Sequence, residues 1–155
     1  MKRLRICVDT AVIGGCFDPE FRTWSNGLID DFRARRFNLV LSDVTAAEIR
    51  RAPAQVRELH TELAELAENL SVTEEALYLL EQYEAHRVLD SRFRNDMLHI
   101  ALATVAAVDV LVSWNFQHIV RLDKIQRFNG ANLELGYRPL AIYSPREVTT
   151  YEREV

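Results

Sequence analysis

Leu98-His99-Ile100-Ala101-Leu102-Ala103-Thr104-Val105-Ala106-Ala107-Val108-Asp109-Val110-Leu111-Val112-Ser113-Trp114-Asn115 is the stretch on which the fold turns. Its first half, preceded by Asp96-Met97, is apolar on nearly every side, a pattern that suits a helix packed centrally between other elements. Its second half, Asp109 to Ser113, is a short β-prone run that stops at Trp114-Asn115. The same run and stop occurs at Leu4 to Val8 before Asp9-Thr10, at Asn38 to Leu41 before Ser42-Asp43, and at Leu140 to Tyr143 before Ser144-Pro145.

Helical periods fill the intervals. Leu28, Ile29, Phe32 and Arg36 predict a helix before the second strand. Val56, Leu59, Leu63, Leu66 and Leu70 form a stripe beside Glu58, Glu62, Glu65 and Glu68, and the capping-box spacing of Ser71 to Glu74 opens a helix through Leu77, Leu80 and Tyr83. Strands separated by helices return in the same direction through right-handed crossovers. The expectation is an α/β fold: a central, mostly parallel sheet flanked by helices on both faces, an α/β/α sandwich.

The chain has 155 residues, 48% hydrophobic and 27% charged, with five Gly and four Pro, the composition of one ordinary folded domain. The expected boundaries are a domain over 1–150 and a short tail over 151–155. The longest apolar run, Leu98 to Val108, is far short of the roughly 20 residues that cross a bilayer, so no membrane partner is expected. Met1-Lys2-Arg3-Leu4-Arg5 has the charge of a secretory leader, but Asp9 interrupts the apolar run behind it. Cys7 and Cys16 match no metal or redox spacing and read as reduced thiols, so the expected location is cytoplasmic.

A net charge of −4 excludes a protein that coats nucleic acid through its whole-body field. Residues 58 to 86, however, carry eight Glu and no Lys or Arg, so the remainder is net positive. The cations are 17 Arg against two Lys. Arg grips phosphate bidentately, which suits RNA; an Arg-rich genome gives the same count.

Ligands of open parallel sheets bind outside the carboxyl ends of the strands. Asp9 and Asn115 follow the first and third predicted strands, Glu48 lies within two turns of the second on a helix begun by Ser42-Asp43-Val44-Thr45, and Asp96 heads the helix leading into the third. Three carboxylates and a carboxamide at one sheet edge make a hard oxygen site for Mg²⁺ or Mn²⁺. Each residue also has a simpler reading: Asp9 ends a strand, Glu48 completes a Thr45-Ala46-Ala47-Glu48 capping box, and Asp96 is an N-cap. Independent caps have no reason to gather at one edge.

Val8-Asp9-Thr10, Ser42 to Glu48-Ile49, Asn95-Asp96-Met97-Leu98-His99-Ile100-Ala101 and Leu111-Val112-Ser113-Trp114-Asn115-Phe116, in that order, resemble the PIN-domain nucleases, whose small prokaryotic members include the VapC-like toxins of type II toxin-antitoxin systems. The resemblance covers roughly residues 4 to 143, and Asp-x-x-His-Ile-Ala is its most specific piece. It implies an endoribonuclease in which Asp9, Glu48 and Asp96 hold Mg²⁺ or Mn²⁺, with an RNA substrate and a small cognate antitoxin as partners. It leaves a homodimer open. Many members carry an acid where this chain has Asn115, which offers a neutral carbonyl oxygen. Asp123, eight residues on, is the alternative acid.

The same reading sets Asn115 beside the three acids as a catalytic residue and Ser113, Arg50 and Arg94 as substrate contacts, with Arg51 and Arg92 also near the acids in sequence. His99 and His118 follow Asp96 and Asn115 by three residues, a spacing that makes helical neighbours and hydrogen-bond partners of a ligand. Gly14-Gly15 reads as a flexible loop, and Phe17, Phe21 and Trp24 as core or as base-stacking surfaces. A haloacid-dehalogenase-type phosphatase wants an acid at position 11, which is Ala, and a phospho-receiver wants a Lys after a late strand, which is lacking. A PIN-fold binding module with a weakened site is the alternative, kept open by Asn115.

Overall fold

The structure, a computed structural model, describes residues 2–152. Five strands form one sheet: β1 Arg5–Val8, β2 Asn38–Ser42, β3 Glu68–Leu70, β4 Val110–Val112 and β5 Ala141–Tyr143, in the order β3-β2-β1-β4-β5. Every pairing is parallel. The connections carry α1 Thr10–Gly15, α2 Arg22–Arg33, α3 Asp43–Ile49, α4 Ala54–Leu66, α5 Glu74–Ala85, α6 Arg94–Val105 and α7 Leu122–Glu134, and α8 Pro145–Val148 follows β5. Strand order reverses between β1 and β4, the point where parallel α/β sheets open a crevice.

The alternation of side chains along each strand divides the core. Ile6, Val8, Leu39, Leu41 and Val112 pack with Leu28, Ile29 and Phe32 of α2 and Leu63 of α4 on one face. Cys7, Val40 and Leu111 point the other way, onto α5, α6 and α7. Every residue from Met97 to Thr104 in α6 is buried, as its all-round apolarity predicts. The chain thus has the expected α/β architecture with helices on both faces.

Three local expectations are corrected. The stripe through Leu66 and Leu70 is not one helix: α4 ends at Leu66, Ala67 is extended, and β3 pairs at the sheet edge with β2. Helix α5 is capped by Thr73, whose Oγ1 accepts from the N–H of Ala76, rather than by Ser71. Asp96 is not an N-cap either; α6 begins two residues earlier, at Arg94, with Phe93 in the cap position and no side-chain cap bond.

After α8 the chain clasps α2. Asp31, buried on α2, accepts from Thr149 Oγ1 at 2.8 Å, from the N–H of Thr150 at 3.0 Å, and from Thr150 Oγ1. Tyr151, expected to begin a loose tail, packs edge-on against Trp24 and over Gly27. Residues 153–155 of that tail lie outside the described residues.

Candidate active site

Asp9 follows β1 and Ser113 follows β4, and because Val8 and Val112 are register partners, the two are the next pair along. Ser113 Oγ donates to Asp9 Oδ2 at 2.5 Å and accepts the N–H of Asn115 at 2.9 Å. Asp9 is also the N-cap of α1, with Oδ1 accepting from the N–H of Val12 at 3.3 Å. Its carboxyl is therefore buried and fixed from both sides, and the strand-end reading of Asp9 describes its place in the fold.

Glu48 is placed by α3, which Ser42 starts by accepting the N–H of Thr45. Thr45 is therefore inside the helix, and Glu48 belongs to no capping box. Its Oε1 instead accepts from Thr10 Oγ1 at 2.7 Å and pairs with His99 Nε2 at 2.9 Å. Asp96, in the first turn of α6, pairs through Oδ2 with His118 Nδ1 at 2.8 Å. The two histidines thus cross over: His99 serves Glu48 rather than Asp96, and His118 serves Asp96. Thr10 is a site residue that sequence reasoning missed, since only its place directly after Asp9 signals it.

Burial sets the protonation balance, and hydrogen bonds then decide it. Burial is the largest influence on Asp9 and raises its carboxyl, against the lowering effects of the His99 charge and the bonds from Ser113 and Val12. Burial also acts to raise Glu48, but the bonds from His99 and Thr10 outweigh it and hold this carboxyl low. For the fully enclosed His99, burial disfavours the imidazolium, while the bond to Glu48 and the charges of Asp9, Glu48 and Asp96 raise it overall. A buried imidazole therefore sits within electrostatic reach of all three carboxylates.

The oxygens of Asp9, Glu48 and Asp96 are the hard donors that Mg²⁺ and Mn²⁺ prefer, and each carboxylate oxygen keeps lone-pair capacity beyond the donors now on it. Their chemistry fits a divalent cation. Their spacing is not that of a closed ligand shell: among the described residues no three His, Cys, Asp or Glu side chains form a group that could hold a metal ion. His99, His118 and Ser113 occupy one oxygen of each acid instead.

Arg50 and Arg51 line, with Glu48 and Asn95, an open cavity of about 580 Å³. Arg94 points elsewhere, to Glu84 of α5 at 2.8 Å, and Arg92 lies over the ring of Phe93. Asp123 is exposed and paired with Arg121 at 2.8 Å, so it does not replace Asn115 as a fourth acid. Gly15 is no flexible element, because an added Cβ would meet Ser25 Oγ at 2.6 Å and Trp114 Nε1 at 2.8 Å. Phe21 stacks on Trp114 at 4.3 Å, leaving Phe17 partly exposed.

Asn115 reaches the site indirectly. Its Oδ1 accepts the N–H of His118 at 2.9 Å, closing the turn that presents His118 to Asp96. An aspartate retains that acceptor and an alanine does not. Asn115→Asp is thus expected to keep the Asp96–His118 pair, whereas Asn115→Ala should release it, seen as a change in the His118 imidazole resonances by NMR in the Ala variant alone. Equal spectra for both variants would remove this positioning role.

No protein-family model matches the chain and no curated protein matches it. Solved structures do. A chain in the crystal structure of VapBC2 from Rickettsia felis bound to a DNA fragment from their promoter superposes with TM-score 0.59 and 10% identity, over 91% of this chain and 98% of that one. FitAcB from Neisseria gonorrhoeae gives TM-score 0.55 and 16% identity, over 92% of this chain and 99% of the other. With five parallel strands in the order found, and these neighbours, the chain has the PIN-like fold that its sequence resembles.

Proposed function

We propose that this chain is an endoribonuclease that hydrolyses RNA phosphodiester bonds with Mg²⁺ or Mn²⁺, and that it acts as the toxin of a type II toxin-antitoxin pair. The observation that carries the reading is the gathering of Asp9, Glu48 and Asp96 around one buried histidine at the carboxyl edge of the sheet. Acids acting together on one enclosed imidazole are the kind of perturbed set that gathers at functional sites. Asp9, Glu48 and Asp96 are the residues that would hold the cation. A divalent ion held by them would lower the pKa of a bound water towards ~7 and offset charge developing on the phosphoryl oxygens.

The chain's other residues orient this set. Ser113 fixes Asp9, Thr10 and His99 fix Glu48, and His118 fixes Asp96. Arg50 and Arg51, at the mouth beside Glu48, are placed to meet substrate phosphates, while Arg94 is held by its bond to Glu84. The acids also offer a seat to a cationic side chain of an inhibitory partner, the role the resemblance gives an antitoxin. The likeness to a chain of VapBC2 supports the same reading. Two buried free thiols fit a reducing cytoplasm, and no helix among the described residues is long and apolar enough to cross a membrane.

Asn115 favours a second reading, a PIN-fold binding module with weakened catalysis, because its carbonyl oxygen is committed to the His118 turn. Incubation of the purified protein with structured and single-stranded RNAs, in Mn²⁺ or in chelator, separates the two. Cleavage that requires the metal is expected. RNA binding with no cleavage at any Mn²⁺ concentration would leave the binding module.

A further inference from the structure

At His118, the ring that pairs with Asp96, the molecule carries a second basic hollow. It is a cavity of about 290 Å³ lined by Arg87, Arg121, Lys124 and His118, with Asp90 as its acid. Three cations in α7 and its cap, Arg121, Lys124 and Arg127, recur every third residue and so share one side of the helix. Arg121 and Lys124 line the hollow, and Lys124 and Arg127 brace its rim. Lys124 Nζ donates to the carbonyl of Val88 at 2.9 Å, and Arg127 donates to the carbonyls of His86 and Arg87 at 3.0 and 2.9 Å. These bonds fasten the turn after α5, in which Arg87 takes a left-handed φ of 53° and Val88 and Leu89 are buried.

The local charge balance favours an anion. Arg121 is paired with Asp123, and Asp90 lies 3.7 Å from Arg92 and accepts its backbone N–H. Arg87 is exposed and has no ion pair among the described residues, and Lys124 has only a carbonyl. His118 joins the hollow to the acids, since the same ring lines the cavity and binds Asp96 at 2.8 Å.

We propose that this hollow is a phosphate subsite: Arg87, Arg121 and Lys124 hold a backbone phosphate of the RNA strand to one side of the cleaved bond. With Arg50 and Arg51 beside Glu48 and this hollow joined to Asp96, cations stand next to two of the acids, an arrangement that would engage a strand at more than one phosphate. The inference rests on the ribonuclease reading. An acidic segment of a protein partner would be attracted by the same charges, but the connection through His118 to Asp96 places the hollow on the path of the strand being cut.

The test uses the full chain carrying Asp9→Asn, so that RNA is bound without being cut, with a fluorescein-labelled single-stranded RNA titrated at several salt concentrations. Arg87→Gln and Lys124→Gln should each weaken binding by roughly 10-fold and lower the slope of log affinity against log salt by about 0.7. Arg138→Gln serves as the control. It bonds to the carbonyl of Ala107 before β4, at the opposite edge of the parallel sheet, and should change neither quantity. Unchanged affinity and slope in the Arg87 and Lys124 variants, with the Asp9→Asn chain binding RNA normally, overturn the subsite and leave the ribonuclease reading standing. Unchanged RNA binding with loss of a copurifying acidic protein assigns the hollow to that protein and overturns it equally. Failure of the Asp9→Asn chain to bind any RNA overturns both.

Discussion

Asp9→Asn is expected to reduce RNA cleavage at least ~100-fold while leaving the protein folded, and Asp96→Asn to do the same. Each change removes one negative charge from the set that would hold the cation and keeps the side chain's shape. A loss of even 1.4 kcal/mol of transition-state stabilisation is tenfold in rate, and a metal ligand is worth more than that. Folding should survive at position 9 because burial disfavours the ionised carboxyl there, so a neutral amide removes a desolvation cost, keeps the Val12 N–H on its oxygen and can donate its NH2 to the Ser113 hydroxyl. The metal-free Asp9→Asn protein should therefore melt no lower than the parent. Initial rates on one RNA in Mn²⁺, with circular dichroism melts in chelator, check both halves. Cleavage within a factor of about two of the parent, from protein free of contaminating nuclease, would end the assignment of that acid.

Gly15→Val is expected to be the most damaging single change to the fold among those considered, at about 3 kcal/mol. The site is closed. An added Cβ lies 2.6 Å from Ser25 Oγ and 2.8 Å from Trp114 Nε1, atoms that are themselves bonded at 2.8 Å, and Ser25 Oγ donates onward to the carbonyl of Val12. The intruding side chain must break this chain of buried bonds or push α1 from α2. Because Trp114 follows Ser113, the displacement also reaches the hydroxyl that holds Asp9. Gly14→Val is the comparison, since nothing lies within 4 Å of its Cβ. Urea melts should separate the two variants widely; similar midpoints would show that Trp114 yields at little cost.

The central layers were readable because each position there obeys one rule. A helix buried all round, as Met97 to Thr104 is, has to be apolar all round, and strands buried on both faces are continuous apolar runs. The edge strand β3 obeys no such rule. Glu68 and Asn69 are exposed and Leu70 half-buried, so it is held by pairing with β2 and by the Arg5–Glu68 bridge at 2.8 Å. To a local pattern, Leu66 and Leu70 continue a helical stripe.

The acids were legible for a similar reason, since the carboxyl edge of a parallel sheet is fixed once the strands are. Their partners were not. His99 and Glu48 are 51 residues apart, His118 and Asp96 are 22 apart, and spacing along the chain suggests instead the neighbours at three residues. Asn115 stands at the expected strand end, where its Oδ1 closes the His118 turn, a bond that spacing alone does not announce. The row Arg121, Lys124, Arg127 shows only when charge is read by helix face rather than by segment.

The clasp over α2 has a consequence for the order in which the molecule is made. Asp31 is synthesised early and buried, yet the hydroxyls that satisfy it belong to residues 118 and 119 positions later. Until Thr149 and Thr150 emerge from the ribosome, its carboxylate has Arg36, at 3.3 Å from Oδ1, as its charged partner, and α2 cannot seal against its sheet without leaving Oδ2 unsatisfied. Asp9, Glu48 and Asp96 are all translated before that moment. The last part of the fold to close thus lies outside the site, and a nascent chain carries its complete set of acids while one flank of the domain is still open to solvent.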